Sequence, residues 1–401
     1  MSAKMPRQPK QPKLRVLLTG GGTGGHIYPL IAVTAELQSL CHELWINLDL
    51  RYLGAYGQFK KVLEENSIRV MRVAESKLRR YFSVANFIDG PKFIYSIIQA
   101  LFKIYWFMPD VVFSKGGPGA LAVVLVARFY RIPVIIHESD TVPGMTNALS
   151  ARFAKLVLIS FPSSAQYFPN NSVYLVGNPI RRYLLKSTEQ EDKERGKQVL
   201  GLSSELPLML VTGGSQGAEK INDLIVDNLP AILQVTQILH QTGKKNYETV
   251  LGGVAFLLDK LPEDIKNRYK AIDYFGDEIN LAYMAADVVV TRASAGAIFE
   301  TAAFGKPSIL IPLPPEVAAN DHQTKNAYEY AATGAGIVIE QTNLLPNIFI
   351  AQVQKITTDV AVSQKMSQAA LGFAKTDASS KIAGIIVKLG SHDGSSQANK
   401  G

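Results

Sequence analysis

LRVLLTGGGTGGHIYP, residues 14–29, predicts a buried strand, a glycine-rich loop and the first turns of a helix, in that order. The same design returns about one domain later in LMLVTGGSQGAEKIND, residues 208–223. Each loop places unpaired backbone N–H groups and the positive end of a helix where an anion can bind. One such loop indicates a phosphate site. Two of them in similar halves indicate a cleft that holds a diphosphate-bearing substrate between twin domains.

Short apolar runs alternate with helix-period segments along the whole chain, which is the βαβ pattern of a parallel, doubly wound sheet. The pattern stops at Asn178-Pro179, so we place a linker near residues 177–182. The predicted class is α/β with two Rossmann-like domains. The predicted strands cover residues 14–18, 50–53, 111–113, 134–136, 157–159 and 174–176 in the first domain, and 208–211, 237–240, 272–275, 287–291, 308–311 and 336–339 in the second.

The composition fits two domains in a reducing compartment. With 401 residues, 47% hydrophobic and 19% charged, the chain is too long for one ordinary core. Its single cysteine, Cys41, excludes a disulfide framework and a multi-cysteine metal site, and it predicts a cytoplasmic protein. No stretch reaches the roughly eighteen uninterrupted apolar residues of a membrane span. The net charge of +8 attracts anionic lipid and nucleic acid alike, but no nucleic-acid-binding motif accompanies it, so we expect no nucleic-acid partner.

The first loop also matches GxGxxG, a weak dinucleotide signal. A dinucleotide fold needs an acid at the end of the next strand, where this chain has Gly54 and Ala55, so a dehydrogenase is disfavoured. His26 follows the last glycine of the loop. Its ring either caps the turn and packs against Tyr28 and Pro29 or serves in catalysis. Because a helix N-terminus disfavours a protonated ring, His26 should stay neutral, which suits a general base beside an anionic donor.

Seven motifs then resemble a known family when they are taken in order: GGGTGGHIYP, SKGGPGA at 114–120, HESDTVPGMTN at 137–147, VGNPIR at 176–181, GGSQGA at 213–218, RASAGAIFETAAFGKPSILIPLP at 292–314 and NDHQTKNA at 320–327. From about residue 14 to residue 389 the chain closely resembles the MurG family of bacterial N-acetylglucosaminyltransferases of peptidoglycan synthesis. The resemblance implies a GT-B fold with UDP-GlcNAc as donor. The implied acceptor is undecaprenyl-pyrophosphoryl-MurNAc-pentapeptide, whose MurNAc 4-hydroxyl attacks the anomeric carbon.

The domain boundaries follow from the linker and the ends of the sheet pattern. We predict an N-terminal acceptor domain over residues 14–180 and a C-terminal donor domain over residues 181–379. A last helix near residues 380–390 should pack back on the N-terminal domain. Residues 1–13, which are basic, and residues 391–401, which are small and polar, are expected to be disordered tails.

The chemistry requires one base and one anion cradle. UDP leaves as a stable anion, so the reaction needs no acid for the leaving group, and a single displacement inverts the sugar. The carboxylate pair of a glycosidase is not evident, and no two aspartates stand two residues apart as in a metal-binding Asp-x-Asp motif. We therefore expect neither metal nor cofactor. His26 is the candidate base.

The resemblance assigns the remaining site residues. Thr23, Gly24 and Gly25 lie at the donor–acceptor junction, while Ser215 and Arg181 meet the diphosphate. Glu300 accepts hydrogen bonds from the ribose, and Gln323 bonds the GlcNAc hydroxyls. Phe275 and Gly276 cap the uracil, although Phe275 is as readily a core aromatic. Backbone near the nucleotide comes from Ala295, Gly296, Ala297, Ile298 and Phe299.

The chain departs from the family pattern at Ser139-Asp140, where many relatives have Gln-Asn. Asp140 can accept hydrogen bonds from sugar hydroxyls, but it cannot donate as an amide does, and it adds a negative charge near a diphosphate. His137 and Glu138 beside it could form a second acid/base pair. We favour instead a strand end that shapes the acceptor loop.

A lipid acceptor requires contact with a membrane. Basic residues between 77 and 103 are interleaved with aromatic ones, as in a surface-docking patch, and we favour residues 77–87 for this role. Farther along, residues 93, 94, 97, 98, 101, 102 and 105 recur at helical spacing, so many of them could equally face the sheet. We expect a peripheral protein on the anionic cytoplasmic face of the cell membrane, with other cell-wall synthesis proteins as partners.

Three functions stay open at this point. The first is the lipid-dependent GlcNAc transferase, and the second is another GT-B enzyme, either a different lipid glycosyltransferase or a UDP-GlcNAc epimerase. The third is a non-catalytic nucleotide-sugar sensor. A sensor has no use for a base, so the presence of His26 argues against it.

Overall fold

The chain forms two parallel, doubly wound sheets. The computed structural model describes residues 11–74, 85–181, 190–213, 218–276, 278–316 and 321–395. The first sheet has the strand order β3-β2-β1-β4-β5-β6-β7 and the second the order β10-β9-β8-β11-β12-β13. The N-terminal strands are β1 (Lys13–Thr19), β2 (Asn47–Gly54), β3 (Arg69–Arg72), β4 (Val111–Ser114), β5 (Val134–Glu138), β6 (Leu156–Ile159) and β7 (Val173–Leu175). The C-terminal strands are β8 (Leu208–Thr212), β9 (Gln237–Gln241), β10 (Tyr269–Ile272), β11 (Val288–Thr291), β12 (Ser308–Leu310) and β13 (Gly336–Val338).

Helices cover both faces of each sheet. Those of the N-terminal domain are α1 (Gly24–Glu43), α2 (Lys60–Glu65), α3 (Ala85–Phe107), α4 (Ala120–Phe129) and α5 (Met145–Ser150). Those that follow are α6 (Gln190–Val199), α7 (Glu219–Asp227), α8 (Leu229–Ile232), α9 (Tyr247–Leu258), α10 (Glu263–Lys266), α11 (Ile279–Ala285), α12 (Ala295–Ala303), α13 (His322–Ala331), α14 (Pro346–Thr358), α15 (Val360–Phe373) and α16 (Ala378–Ser395). No helix within the described ranges is long and apolar enough to cross a bilayer.

The strand order explains where the glycine loops lie. In both sheets the order reverses beside a central strand, between β1 and β4 and again between β8 and β11. Ligands of open α/β sheets bind in the crevice that such a reversal leaves at the carboxyl ends of the strands. The loops that begin at Gly20 and Gly213 leave β1 and β8 at these two points. The doubly wound twin-domain prediction is confirmed.

Most predicted strands are present, but two predictions need correction. The strand predicted at 272–275 is β10, which ends at Ile272, so the apolar run chosen from the sequence is mostly the loop after the strand. Within this run Phe275 is buried, only 4% exposed, while residues 272–274 are half-buried. The edge strand β3, with sequence RVMR, was not predicted because four residues with charged ends carry no apolar run.

Both predicted tails are shorter than expected where the structure describes them. Lys13 belongs to β1, where it pairs with Asn47 and its Nζ lies 3.3 Å from Asp49 Oδ2. At the other end α16 continues to Ser395, so residues 391–395 are helical. Residues 1–10 and 396–401 lie outside the described ranges. The sequence analysis took the polar composition of residues 391–395 as a sign of disorder. A helix that is already anchored by packing can continue through such residues.

The final helix completes the core of the first domain. Ile382 and Ile386 of α16 are fully buried among side chains of α1 and β1. A Cβ atom on Gly390 would lie 2.5 Å from Leu14 Cδ1, so the close approach of α16 to β1 requires glycine there. The two ends of the chain therefore share one hydrophobic core.

The outer face of α3 is apolar and exposed, which decides for each of its residues between the two orientations that the sequence left open. Ala100, Ile104 and Phe107 face the sheet and are buried. Of the residues that recur at helical spacing, Phe93, Ile97 and Leu101 are half-buried. The others, Ile94, Ile98, Phe102 and Tyr105, are exposed together with Tyr95 and Trp106. Periodicity failed here because both faces of the helix are apolar. The favoured residues 77–84 lie outside the described ranges.

Replacing Ile386 with alanine should destabilise the N-terminal domain by about 2–5 kcal/mol, because it opens a cavity in a fully buried site. The measurement is urea unfolding followed by tryptophan fluorescence. Both tryptophans, Trp45 and Trp106, belong to that domain. Lys388→Ala, at an exposed position of the same helix, is the control and should change stability by less than about 0.5 kcal/mol. Equal effects of the two substitutions would contradict the packing of α16.

Candidate active site

A cavity of about 990 Å³ lies between the domains at the carboxyl ends of both sheets. The N-terminal domain contributes side chains and loops that include Gly24, Gly25, His26, Lys115, Glu138 and Asp140. Across the cleft the lining includes Arg181, Thr212, Tyr274, Phe275, Tyr283, Ala295, Gly296, Ala297, Glu300 and His322. Ten of the predicted site residues therefore share one cavity: Gly24, Gly25, His26, Asp140, Arg181, Phe275, Ala295, Gly296, Ala297 and Glu300.

The ring of His26 is held between two glycine loops. Its Nδ1 lies 2.8 Å from Thr23 Oγ1. A Cβ atom on Gly21 would come within 2.9 Å of His26 Nδ1, and one on Gly117 within 3.0 Å of Nε2. Gly117 also has φ of +87°, which favours glycine independently of the space. Backbone on both sides of the ring thus fixes its orientation at the edge of the cavity.

His26 is neutral at physiological pH. Burial lowers the pKa of its ring to about 4, and the nearby Lys115 ammonium lowers it as well, while Asp140 opposes them. The sequence analysis expected a neutral ring from the helix N-terminus. In the structure the larger cause is loss of solvent. A neutral ring with one free nitrogen can accept a proton, which is what a general base must do.

Lys115 is a site residue to which the sequence analysis gave no role. It is buried at the end of β4, and its Nζ lies 2.6 Å from His137 Nδ1 and 2.5 Å from Ser139 Oγ. Because His137 Nε2 lies 2.9 Å from the carbonyl of Gly177, that nitrogen carries the proton, and Nδ1 accepts from Lys115. Burial lowers the pKa of Lys115, and the carboxylates of Glu138 and Asp140 raise it. The signal in the sequence was a lone charge between a buried strand and the glycines of SKGGPGA.

Glu138 ends β5 and organises the loop after it. Its Oε1 accepts from the backbone N–H of Asp140 at 3.0 Å, and its Oε2 accepts from Gly144 at 3.3 Å and from Asn147 Nδ2 at 2.9 Å. Burial raises the pKa of this carboxyl group, and the neighbouring Asp140 raises it further. His137 therefore holds Lys115, and Glu138 holds the loop at 139–144, each through defined hydrogen bonds.

Arg181 and Glu300 stand together where the domains meet. Arg181 Nη2 is 3.9 Å from Glu300 Oε1, and the guanidinium lies 4.6 Å from the ring centre of Tyr28. The hydroxyl of Tyr28 is 3.2 Å from that of Tyr274 across the cleft. Burial raises the pKa of Glu300, while Arg181 and a hydrogen bond from Tyr283 lower it. A fixed cation therefore faces the cavity beside a carboxylate that can accept hydrogen bonds.

The amino end of α12 opens into the cavity. Ser294 caps this helix, its Oγ accepting from the N–H of Ala297 at 3.4 Å, and the small residues at 295–297 leave the backbone accessible. The side chains of Ile298 and Phe299 are instead fully buried in the core of the C-terminal domain. Phe299 packs edge-on against Phe161 at 5.3 Å. The helical period turns these two side chains away from the cavity, whereas the prediction for positions 298 and 299 concerned their backbone.

Four other predicted residues are not part of the described lining. Thr23 contacts His26, and Gly276 follows Phe275, which is itself packed in the core. Gln323 is buried, and its Oε1 accepts from the N–H of Leu313 at 3.1 Å. Ser215 lies outside the described residues, although Thr212 just before its loop lines the cavity. Within the described ranges no three histidine, cysteine, aspartate or glutamate side chains are grouped to hold a metal ion.

Comparison with known proteins matches both domains of the chain to one family. Residues 16–159 match the N-terminal domain of glycosyltransferase family 28, and residues 208–382 match its C-terminal domain. The UDP-N-acetylglucosamine–N-acetylmuramyl-(pentapeptide) pyrophosphoryl-undecaprenol N-acetylglucosamine transferase of Clostridium kluyveri is 34% identical over 376 residues, 93% of this chain and 99% of the relative. The transferase of the same name from Clostridium botulinum strain Hall is 35% identical over 333 residues, covering 82% of this chain and 87% of the relative.

Solved structures agree in fold. MurG of Acinetobacter baumannii matches with a TM-score of 0.72 and 26% identity over 94% of this chain and 99% of its own. A UDP-GlcNAc 2-epimerase of Neisseria meningitidis, bound to UDP-GlcNAc, matches with a TM-score of 0.65 over 94% of this chain and 100% of its own. At 16% identity the epimerase shows the shared fold alone.

Twin Rossmann-like domains that meet at one cavity define the GT-B fold class. The family matches cover both domains. The chain belongs to glycosyltransferase family 28 and, within it, to the MurG family of N-acetylglucosamine transferases.

The pKa of His26 predicts activity that persists in mild acid. The base works only when unprotonated, so titration of His26 should lower kcat/KM between about pH 5 and about pH 3, with a midpoint near 4. The measurement is kcat/KM for transfer across this range, with tryptophan fluorescence at each pH to confirm that the fold is retained. A midpoint near 6.5, the value of an ordinary histidine, would show that the ring is solvated in the working enzyme.

Proposed function

We propose that this protein transfers GlcNAc from UDP-GlcNAc to the MurNAc 4-hydroxyl of undecaprenyl-pyrophosphoryl-MurNAc-pentapeptide. The observation that carries the proposal is a neutral histidine on one wall of a cavity whose other wall presents a helix N-terminus, an arginine and a carboxylate. The names of the relatives from Clostridium kluyveri and Clostridium botulinum support the same donor and acceptor.

The reaction needs few groups, and the cavity supplies them. His26 removes the proton of the acceptor hydroxyl as its oxygen bonds to the anomeric carbon, and the bond from that carbon to the UDP oxygen breaks. The departing diphosphate takes the negative charge, which Arg181 and the glycine loop at 213–218, including Ser215, stabilise. A single displacement inverts the anomeric centre. Glu300 accepts hydrogen bonds from the ribose, the N-terminus of α12 faces the nucleotide, and Gln323 binds GlcNAc hydroxyls.

Nucleotide-sugar epimerisation is the second candidate because a UDP-GlcNAc 2-epimerase shares the fold. The cavity also contains more titratable groups than a single base, namely Lys115, Glu138 and Asp140. Lys115 and Glu138 both form buried hydrogen bonds to neighbouring protein groups. Such bonds are typical of residues that support the loops. An epimerase converts UDP-GlcNAc without any acceptor, so one assay separates the two functions.

The test offers radiolabelled UDP-GlcNAc and a short-chain lipid-linked MurNAc-pentapeptide, and it follows label in the lipid product. The unsubstituted enzyme should label the MurNAc 4-position, and His26→Ala should lose activity by a factor of about 10² to 10⁴ while binding UDP as before. Undiminished transfer by His26→Ala would contradict the base assignment. Isomerised UDP-GlcNAc in the absence of acceptor, or label on diacylglycerol, would contradict the proposed function.

We also propose that the exposed face of α3 binds the membrane that carries the acceptor. Ile94, Ile98, Phe102 and Trp106 recur every four residues on this face, and Trp106 is 81% exposed. The aromatic surface continues onto α4, since Tyr105 lies 6.4 Å from Tyr130, which lies 5.2 Å from Phe129, measured between ring centres. The exposed Lys92, Arg128 and Arg131 lie on the same elements or next to them. Apolar and aromatic side chains with cations around them suit the interface of an anionic bilayer.

Replacing both Phe102 and Trp106 with serine should weaken binding to phosphatidylglycerol vesicles at least about tenfold, because two large apolar side chains no longer insert into the bilayer. Vesicle sedimentation measures the partition, and transfer to a short-chain acceptor in solution should be unchanged. The control is Phe256→Ser, which removes an equally exposed aromatic from α9 in the other domain and should not affect partition. Unchanged vesicle binding by the double variant would contradict the docking face.

A further inference from the structure

One buried amide connects the two walls of the cavity. Asn326 of α13 is fully buried, and its Oδ1 accepts from the backbone N–H of Thr141 at 2.9 Å. Its Nδ2 donates to Asp140 Oδ1 at 2.8 Å and to the carbonyl of Ala293 at 3.2 Å. The orientation of the amide is unambiguous, because a backbone N–H can only donate and a carbonyl can only accept.

These three bonds join segments that contribute to opposite sides of the site. Asp140 and Thr141 belong to the loop that leaves β5 in the N-terminal domain, where Asp140 lines the cavity. Ala293 comes just before α12, whose amino end lines the other side. The helix of Asn326 itself begins at His322, a further lining residue. The amide is thus shared by the acceptor side and the donor side.

The loop at 139–144 is held at two places. From its own domain, Glu138 accepts from the N–H groups of Asp140 and Gly144. From the opposite domain, Asn326 holds the side chain of Asp140 and the N–H of Thr141. Hydrogen bonds that involve an ionised group are roughly twice as strong as neutral ones. The contact from Asn326 therefore fixes the rotamer of the one carboxylate that this loop presents to the cavity.

We propose that Asn326 is a positioning residue for the acceptor: it sets Asp140 to accept a hydrogen bond from a hydroxyl of the acceptor sugar. This inference rests on the proposed transfer reaction. It gives Asp140, where many relatives have asparagine, a defined task, because a carboxylate accepts from a sugar hydroxyl while it stays bonded to the amide across the cleft. It also makes acceptor binding depend on the engagement of the two domains.

The chain offers a matched control on the same helix. Glu329, three residues after Asn326, also crosses the domain boundary: its Oε1 accepts from the N–H of Ser163 at 3.3 Å, and its Oε2 accepts from the Ser163 hydroxyl. Neither Glu329 nor Ser163 belongs to the described cavity lining. Removing Glu329 therefore weakens contact between the domains without releasing Asp140.

The experiment compares Asn326→Ala, Glu329→Ala, Asp140→Ala and the double variant Asn326→Ala/Asp140→Ala in the full chain. Steady-state transfer is measured with short-chain acceptor and UDP-GlcNAc varied separately, and UDP affinity is measured by calorimetry. Asn326→Ala should raise the acceptor KM at least about tenfold, the effect of one charge-assisted hydrogen bond, and leave UDP affinity within about twofold. Glu329→Ala should leave every constant within about twofold. In the double variant the two acceptor effects should combine to less than their product.

Three results would overturn the inference. These are a fall in kcat with the acceptor KM unchanged, an equal acceptor defect in Glu329→Ala, or effects of Asp140 and Asn326 that multiply. Retained UDP binding shows that a variant is folded, and Asp140→Ala probes the same bond without opening a fully buried site. If the unsubstituted enzyme transfers sugar but these variants behave otherwise, the inference alone fails. If the unsubstituted enzyme transfers nothing, the proposed function fails.

Discussion

The site depends on backbone approaching an imidazole without a Cβ atom in the way. The loop after β1 and the loop after β4 pass on either side of His26, and glycine at positions 21 and 117 makes that approach sterically possible. The adjacent parallel strands β1 and β4 bring the two loops together, because their carboxyl ends lie at the same edge of the sheet. Ring position, strand order and glycine content are therefore one constraint. A residue with a side chain at either position would displace the ring of His26 by steric contact alone, even if that side chain carried no charge.

Charge in the N-terminal wall is balanced within a small buried volume. Lys115 is taken out of water, and two carboxylates, Glu138 and Asp140, compensate for part of that cost. His137 and Ser139 satisfy two donors of the ammonium, so the cation is fixed where it opposes protonation of His26. The same loop that provides Ser139 and Asp140 reaches the opposite domain through Asn326. One short segment, residues 139–141, therefore influences the pKa of His26 and also contacts the opposite domain.

Local chain chemistry was sufficient to predict the two sheets and the histidine that follows the first glycine loop, whereas the resemblance to the MurG family supplied most of the other predicted residues that meet in the cavity. Apolar runs mark buried strands, and glycines mark the loops between strand and helix. The edge strand β3 lacked that signal, and Phe275 of the run at 272–275 is buried although it does not belong to a strand. The apolar faces of α3 could not be told apart, since periodicity does not say which side meets the sheet. Partners such as Lys115 with His137, or Asn326 with Asp140, are distant in sequence and depend on how the domains pack.

The return of α16 to the first domain has a consequence for biosynthesis. Domains generally fold in order as they leave the ribosome. Here the core around β1 includes Ile382 and Ile386, which are translated only after the whole second domain. Until α16 is synthesised, the nascent first domain lacks the side chains of Ile382 and Ile386 that complete its core. Completion of this core therefore follows synthesis of the second sheet, and a truncation before α16 would leave both sheets translated but the first core incomplete.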